Sequence, residues 1–210
     1  LQNVFSYDNN TGIIRGNNIT LTSSGNLLLE GKIQGINNLL ISGVDITNNG
    51  NTISSGLLRL SGRDITNNLT ISAGNVELLA TGNILNNSMI EGERGKLSGN
   101  TIENKDLIIF LDKLDIEGTK LVNKDASVYS DNELNISTGD VDNTGGEIVG
   151  QSTLNITGFN LLDNTKGIID SRGNILLSGN KLLNSGEVSG QYRLYWETWD
   201  GRIIYDDVWR

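Results

Sequence analysis

Residues 39–56, LLISGVDITNNGNTISSG, contain the pattern that decides the fold: Ile41 before a glycine, then Ile46-Thr47-Asn48, then a turn and a third apolar position. The triplet of an apolar residue, any residue and an asparagine recurs eight times. Its copies begin at Ile46, Ile65, Leu85, Ile102, Leu121, Val141, Leu162 and Leu182. With the third copy aligned on Asn87, the asparagines lie 19, 20, 17, 19, 20, 21 and 20 residues apart. A period near 20 predicts a repeat architecture.

Three further rows of residues keep the same register. A glycine precedes most of the asparagines, at Gly43, Gly62, Gly82, Gly99, Gly118, Gly158 and Gly179, with Gly139 one residue closer. Two residues before that glycine lie Ile41, Leu60, Ala80, Leu97, Ile116, Ile156 and Leu177. After the asparagine come Ile53, Ile71, Ile90, Val128, Ile148, Ile169 and Val188. Each repeat therefore offers three apolar segments that are too short for stable helices and are typical of strands.

No single repeat of this kind can bury its apolar segments alone, so we expect successive repeats to stack with equivalent strands in parallel. The predicted fold is an all-β, parallel β-helix. The 26 glycines would supply positive φ at the corners. The asparagines fit two interpretations: an internal hydrogen-bonded ladder between rungs, or turn residues on the surface.

The residue types that the chain lacks exclude several kinds of site. There is no proline, which would remove a donor from a strand paired on both sides. Without cysteine there is no disulfide framework, and without histidine there is no serine–histidine catalysis and no histidine metal site. We expect no cofactor and no metal.

Length sets the size of the predicted rod, and net charge limits the kinds of partner it can bind. A chain of 210 residues allows about ten rungs, a rod on the order of 50 Å long. Its net charge of −9 argues against nucleic acid or an anionic membrane as partner. The longest apolar run, residues 107–111, predicts a buried strand. The chain begins at Leu1 with no signal peptide, so we expect it to be part of a longer protein.

The segments 39–56, 134–150 (LNISTGDVDNTGGEIVG) and 175–190 (ILLSGNKLLNSGEVSG) allow a comparison with known repeats. Over residues 9–190 the chain resembles the filamentous haemagglutinin repeats of bacterial two-partner secreted exoproteins, which include contact-dependent growth inhibition effectors and large adhesins. The resemblance implies a right-handed β-helix in a secreted, surface-displayed filament. It also implies export of the unfolded chain through an outer-membrane two-partner transporter.

Two rungs depart from the repeat pattern. Lys105-Asp106 replace the usual small residues after Asn104, and the rung from Gly99 to Gly118 lacks the Gly-x-Ile-x-Gly ending. The next rung also lacks that ending, at residues 124–128. We expect a bulge or a small side loop there.

The last 20 residues do not follow the repeat, and they hold six of the eleven aromatic residues. Asp200-Gly201 separates two alternating runs, which predicts a hairpin. We therefore divide the chain into a β-helix domain, 1–190, and an aromatic-rich cap or start of a further domain, 191–210. Alternatively, the aromatic residues bind a cell-surface receptor or glycan on a target cell. The candidate ligand-binding residues are Tyr192, Tyr195, Trp196, Trp199 and Trp209.

An enzyme is the least favoured class. Candidate acid–base pairs are Asp112 with Asp115, Asp140 with Asp142, and Asp206-Asp207. Adjacent residues on a strand point to opposite faces, and the other two pairs lie near predicted turns, where solvated carboxylates are ordinary. The function predicted from the sequence is a structural rod, a monomer as this segment, which holds a distal binding or toxin region away from the cell.

Overall fold

The computed structural model describes residues 7–8, 12–194, 196–197 and 203–204, with side chains over 12–190. Within these residues there is no helix, and the chain forms a parallel β-solenoid of about nine turns with rungs of about 19 residues. At ~4.8 Å per rung the stack is about 43 Å long. The predicted parallel β-helix is confirmed.

The strands, in chain order, are β1 Tyr7–Asp8, β2 Ile13–Thr22, β3 Leu27–Leu29, β4 Lys32–Ser42, β5 Asp45–Asn48, β6 Asn51–Gly62, β7 Asp64–Asn67, β8 Ile71–Ala80, β9 Ile84–Asn86, β10 Ile90–Asn104, β11 Leu107–Val122, β12 Ser127–Ser130, β13 Glu133–Asp142, β14 Glu147–Gly150, β15 Thr153–Phe159, β16 Leu161–Asn164, β17 Ile168–Gly179, β18 Leu182–Asn184, β19 Glu187–Leu194, β20 Trp196–Glu197 and β21 Ile203–Ile204. The first nineteen form one sheet that coils around the core, and its pairs are parallel between successive rungs. β20 and β21 pair antiparallel, with Trp196 opposite Ile204, as in the predicted hairpin.

Each rung has three faces, and alternate residues of each face point into the core. Face 1 contributes two aliphatic rows. The first runs Ile19, Leu39, Leu58, Val76, Gly95, Leu114, Leu134, Leu154, Ile175, and the second runs Leu21, Ile41, Leu60, Leu78, Leu97, Ile116, Ile136, Ile156, Leu177. Leu78, and not Ala80, therefore holds the inward position of its rung; Ala80 pairs with Gly62 at the corner.

Face 2 carries the residue two positions before each asparagine and the asparagine itself. Its aliphatic row is Leu27, Ile46, Ile65, Ile84, Ile102, Leu121, Val141, Leu162, Leu182. Face 3 carries Ile33, Thr52, Ile71, Ile90, Ile108, Val128, Ile148, Ile169, Val188. The predicted inward place of Ile53 is wrong: Thr52 is fully buried, while Ile53 faces outward opposite Gln34 and Ser72.

A second inward row on face 3 consists of small residues with one exception. Gly35, Ser54, Ala73, Gly92, Ser130 and Gly150 leave room for the aliphatic side chains of face 1, but Phe110 holds the same row one rung after Gly92. The ring of Phe110 is fully buried and fills the space beside Gly95, where an added Cβ would lie 2.5 Å from the ring Cζ atom. Gly95 is thus the small residue in a row of large ones, Phe110 is the large residue in a row of small ones, and the ring of Phe110 fills the space that Gly95 leaves.

Close stacking, more than positive φ, explains the glycines. Only Gly145, Gly158 and Gly190 have positive φ among the glycines described. At Gly118 φ is not in that region, and a Cβ would lie 2.2 Å from the carbonyl oxygen of Gly99 on the previous rung. The corner prediction for glycine therefore holds at few positions, and the commoner requirement is space between rungs.

No side loop forms directly after Asn104 or Asn123, but the rung from Gly99 to Gly118 does contain a bulge, as expected. Lys105-Asp106 make a tight turn, and β11 runs unbroken from Leu107 to Val122. In the next rung Asp125 adopts φ 53° and completes the turn without an insertion. The bulge lies between Phe110 and Lys113: Gly92 pairs with Phe110 and Arg94 with Lys113, so two residues of β11 lie opposite one residue of β10. Further register shifts lie between Gly16 and Asn18, Ser54 and Leu57, Thr157 and Phe159, and Asp170 and Asn174.

Candidate functional site: an asparagine ladder and three outer faces

A row of eight asparagines forms a hydrogen-bonded ladder inside the coil. In each of seven steps the side-chain Nδ2 donates to Oδ1 of the asparagine one rung later, over 2.7–2.9 Å. The members are Asn48, Asn67, Asn86, Asn104, Asn123, Asn143, Asn164 and Asn184. The first seven are at most 1% exposed, so the interpretation as surface turn residues is wrong for them.

The ladder also holds the corner between faces 2 and 3. Asn123 Nδ2 donates to the carbonyl oxygens of Ala126 (3.0 Å) and Glu147 (2.8 Å) as well as to Asn143. Asn143 Nδ2 repeats this arrangement with Gly146 and Ile168. Each amide thus joins its own turn to the next, a task for a side chain with both a donor and an acceptor.

The ladder begins with a hydroxyl cap. Leu29 holds the equivalent place one rung before Asn48, so no asparagine amide donates a hydrogen bond to Asn48 Oδ1. The Thr52 hydroxyl donates to that oxygen over 2.7 Å, which explains why a buried threonine replaces the aliphatic residue of its row. Sequence reasoning missed Thr52 because the neighbouring Ile53 fits the apolar pattern better.

The register of the third repeat needs a correction. Asn86, and not Asn87, belongs to the ladder, so the ladder spacings are 19, 19, 18, 19, 20, 21 and 20 residues. Asn87 instead donates to Asn68, which donates to Asn49, each over 2.7 Å on the outside of the coil. Two adjacent asparagines made the sequence ambiguous by one residue, which on a strand is the difference between the two faces.

All seven amides point in the same direction, each donating toward the C-terminal end. Aligned amide dipoles polarise one another, so a continuous chain of such bonds is stronger than isolated pairs. The ladder therefore runs parallel to the rod axis and connects eight rungs.

The outer faces carry ion pairs between rungs. Arg59 contacts Glu77 (2.5 Å), Arg94 contacts Asp112 (2.7 Å), and Lys113 contacts Glu133 (3.0 Å). The amide of Asn135 and the Lys113 ammonium hold the pKa of Glu133 below its ordinary value. These side chains are well exposed, so each pair contributes little to stability.

Three of the carboxylates considered as acid–base candidates, those of Asp112, Asp115 and Asp142, have structural partners. The Asn132 amide and the Arg94 guanidinium lower the pKa of Asp112, the opposite of the raised pKa that a general acid needs. Asp115 accepts from Asn135 (2.8 Å), and Asp142 accepts from its own turn at Thr144 N (3.0 Å). The described residues contain no group of three or more acidic side chains placed to hold a metal ion. Asp206-Asp207 lies outside the described residues.

The predicted aromatic site cannot be placed. Tyr195, Trp199 and Trp209 lie outside the described residues, and for Tyr192 and Trp196 the structure gives only the backbone, in β19 and β20. β19 pairs with β17 as far as Leu194 opposite Leu177, so the parallel stack extends four residues beyond the predicted boundary at 190. The ligand-binding role of these aromatic residues stays a prediction.

The run at residues 107–111 is only partly buried. Ile108 and Phe110 point into the core, whereas Leu107, Ile109 and Leu111 point outward, and Leu111 is 61% exposed. Successive side chains of a strand point to opposite faces, so only every second residue of this run can enter the core. The prediction of a wholly buried strand did not take this into account.

Stacked aliphatic rows, a buried amide ladder and outer carboxylates held in ion pairs and turns define a structural β-solenoid. The chain belongs to the haemagglutinin repeat family, whose model matches residues 1–31, 35–88 and 97–194. The unmatched residues 89–96 contain the Gly92–Arg94 register shift and Gly95. No curated protein and no solved structure matches the chain.

Membership of this family indicates the rod region of a filamentous haemagglutinin-like adhesin, a structural part of a protein type that is typically secreted or on the cell surface. Within the described residues, no helix is long and apolar enough to cross a membrane.

Proposed function

We propose that the chain is a rod segment of a secreted bacterial surface filament, either an adhesin or a contact-dependent growth inhibition effector, which presents a distal binding or toxin region. The observation that carries the proposal is the asparagine ladder from Asn48 to Asn184, continuous over eight rungs. Nothing in the described side chains favours catalysis over this mechanical role.

The rod resists bending because its bonds run along its axis. Backbone hydrogen bonds join each face to the next rung, and the amide ladder adds a further row inside. Bending the coil would lengthen these bonds on one side and compress the aliphatic rows on the other. Since each rung contacts chiefly its neighbours, rungs can be added without changing the cross-section.

The same short-range stacking suits export of the unfolded chain through a two-partner outer-membrane transporter. Each strand pairs with residues about 20 positions away, so a rung can join the stack as soon as it emerges. The chain has no cysteine, so no disulfide can block passage. Folding outside the cell would then favour forward movement.

Duplication of residues 121–161 before Leu162 tests the rod. The insert supplies two rungs with an asparagine at each ladder position, so we expect small-angle X-ray scattering to show a particle about 10 Å longer with the same cross-section. A scrambled insert of the same composition is the control. A particle that thickens instead of lengthening would refute the stacking.

Cell binding tests the alternative, direct receptor or glycan recognition by the aromatic residues. Fluorescently labelled chain is incubated with bacterial and epithelial cells and compared with Trp196→Ala/Trp199→Ala, after circular dichroism has shown equal folding. Saturable binding that the double variant loses would support recognition by this segment. Binding by neither supports the rod alone.

A further inference from the structure

An apolar patch lies on the outside of face 3. It is centred on Ile109, with Leu107 and Leu111 on the same strand and Tyr129 and Val149 on the next two rungs. Five strand residues span about 13 Å and three rungs about 10 Å. The patch is thus flat and about as wide as a helix.

Acidic side chains surround this patch. Glu91 pairs with Ile109 from the previous rung, Glu93 follows it, and Asp131, Glu147 and Asp170 lie on the later rungs. Among the described residues none of these five forms an ion pair, whereas the acids of face 1 are paired with arginine or lysine. Arg172 is the one basic side chain on face 3 over residues 89–93, 107–111, 127–131, 147–151 and 168–172.

The corner beside the patch offsets this negative charge only in part. Lys105, Lys124 and Lys166 lie there; Asp106 and Asp125 directly follow the first two, and Gly167 follows Lys166. Lys105 is also held by Glu103 over 3.2 Å. At the centre of the patch, the Tyr129 hydroxyl donates to Asp131, which raises the pKa of Tyr129 and fixes its ring across the face.

We propose that this patch, Leu107, Ile109, Leu111, Tyr129 and Val149 with its acidic border, docks an amphipathic helix of a partner protein whose apolar stripe is flanked by lysine or arginine. A second copy of the chain is disfavoured because face-to-face packing would bring the two acidic borders together. An anionic lipid surface is disfavoured for the same reason.

The probe is a dye-labelled 18-residue helix with a leucine stripe and lysine on its remaining surface; the comparison peptide carries glutamate in place of lysine. Fluorescence anisotropy gives Kd at several salt concentrations. We expect the lysine peptide to bind more tightly at low salt and the glutamate peptide not to bind.

Variants locate the binding. Ile109→Ser/Tyr129→Ser removes the centre of the patch and should weaken binding by at least about tenfold. Leu40→Ser/Leu57→Ser, two outward leucines of face 1, is the matched control with the same net charge and should leave Kd within about twofold. Glu91→Gln/Glu147→Gln should weaken binding and flatten its salt dependence.

Equal effects of the patch and control variants on Kd, including no effect of either, would overturn the site, because binding would then not depend on the patch. Equal binding of the glutamate peptide would overturn the charge argument. The docking proposal also fails if neither peptide binds, or if the chain binds phosphatidylcholine or phosphatidylglycerol vesicles through the patch while ignoring the lysine peptide. None of these outcomes bears on rod length, which tests the proposed function separately.

Discussion

Replacement of Asn123 by leucine tests the amide ladder at its centre. Asn123 is fully buried and donates to Asn143 Oδ1 over 2.8 Å, while its own Oδ1 accepts from Asn104 Nδ2 over 2.9 Å. Leucine has a similar size, so the change removes hydrogen bonds with little change in packed volume. Asn104 Nδ2 keeps Ser127 O as an acceptor, but Asn143 Oδ1 is left buried without a donor.

The magnitude follows from those contacts. A stranded buried acceptor costs about 1–3 kcal/mol, and loss of the bonds to Ala126 O and Glu147 O adds about 1–2 kcal/mol. Burial of the added apolar atoms returns about 1–2 kcal/mol. We expect a net loss of about 1–3 kcal/mol in the free energy of unfolding, or a fall in Tm on the order of 2–12 °C for a chain of this size.

Asn68 provides a matched control. It lies in a second asparagine row, donating to Asn49 and accepting from Asn87 over 2.7 Å each, but it is exposed. Water can replace these partners, so Asn68→Leu should change the free energy of unfolding by less than about 0.5 kcal/mol.

The assay is urea and thermal denaturation followed by far-ultraviolet circular dichroism, with hydrogen exchange measured by mass spectrometry. Long repeat arrays can lose two-state behaviour, so exchange is needed to show which rungs open. Faster exchange should centre on the rungs of Asn104 to Asn143. Equal destabilisation by Asn123→Leu and Asn68→Leu would refute the reasoning, because burial would then not be what makes the ladder strong.

Three further perturbations probe the core, the cap and the acid response. Phe110→Ala should cost about 3–5 kcal/mol by urea denaturation, since the ring fills the space beside its neighbouring glycine, while Leu111→Ala, 61% exposed, should cost almost nothing; comparable losses would contradict the packing. Thr52→Val should lower the free energy of unfolding by about 1–3 kcal/mol, because Asn48 Oδ1 loses its hydrogen-bond donor. Thr47→Val, on the outer side of face 2, should leave it unchanged. If Thr52→Val has no effect on stability, the Thr52 hydroxyl does not cap the ladder. The pKa of Asp112 is lower in the folded chain than in the unfolded chain, where it is near 3.9. The Asp112 carboxylate therefore stabilises the fold above about pH 3.9, and this stability is lost as the pH falls through the folded-state pKa. Asp112→Asn should therefore show a smaller drop of Tm between pH 5 and pH 2 than the parent chain, and an unchanged drop would exclude this carboxylate.

The repeat pattern predicted the fold because three independent requirements share its period. Strand alternation, space for a close rung and a buried amide each return about every 20 residues, so an error at one position does not disturb the others. The fold class survived the misplacement of Asn87, Ile53 and Ala80. Each of these errors was a shift of one or two residues within a segment, and pairing with the next strand decided which residue faced inward.

The exchange between Gly95 and Phe110 shows what periodicity cannot reveal. Each residue breaks the composition of its own row, and taken separately each predicts a defect: a hole at Gly95 and a clash at Phe110. The two are fifteen positions apart in sequence and meet only when face 1 and face 3 close around the core. Compensation across the core is a property of the coil, and no single row contains it.

The outward residues are less constrained than the core residues to recur from rung to rung. Core rows are constrained to repeat, because each side chain packs on its equivalents above and below. Outward positions have no such constraint, so a cluster there, such as Ile109, Tyr129 and Val149 on three successive rungs, is not required by stacking. A rod needs a polar outer surface to stay separate from its neighbours, and an apolar patch bordered by acids that lack a basic partner among the described residues works against that need unless a partner covers it. The face that departs from the repeat is therefore where a specific contact of this segment should be sought first.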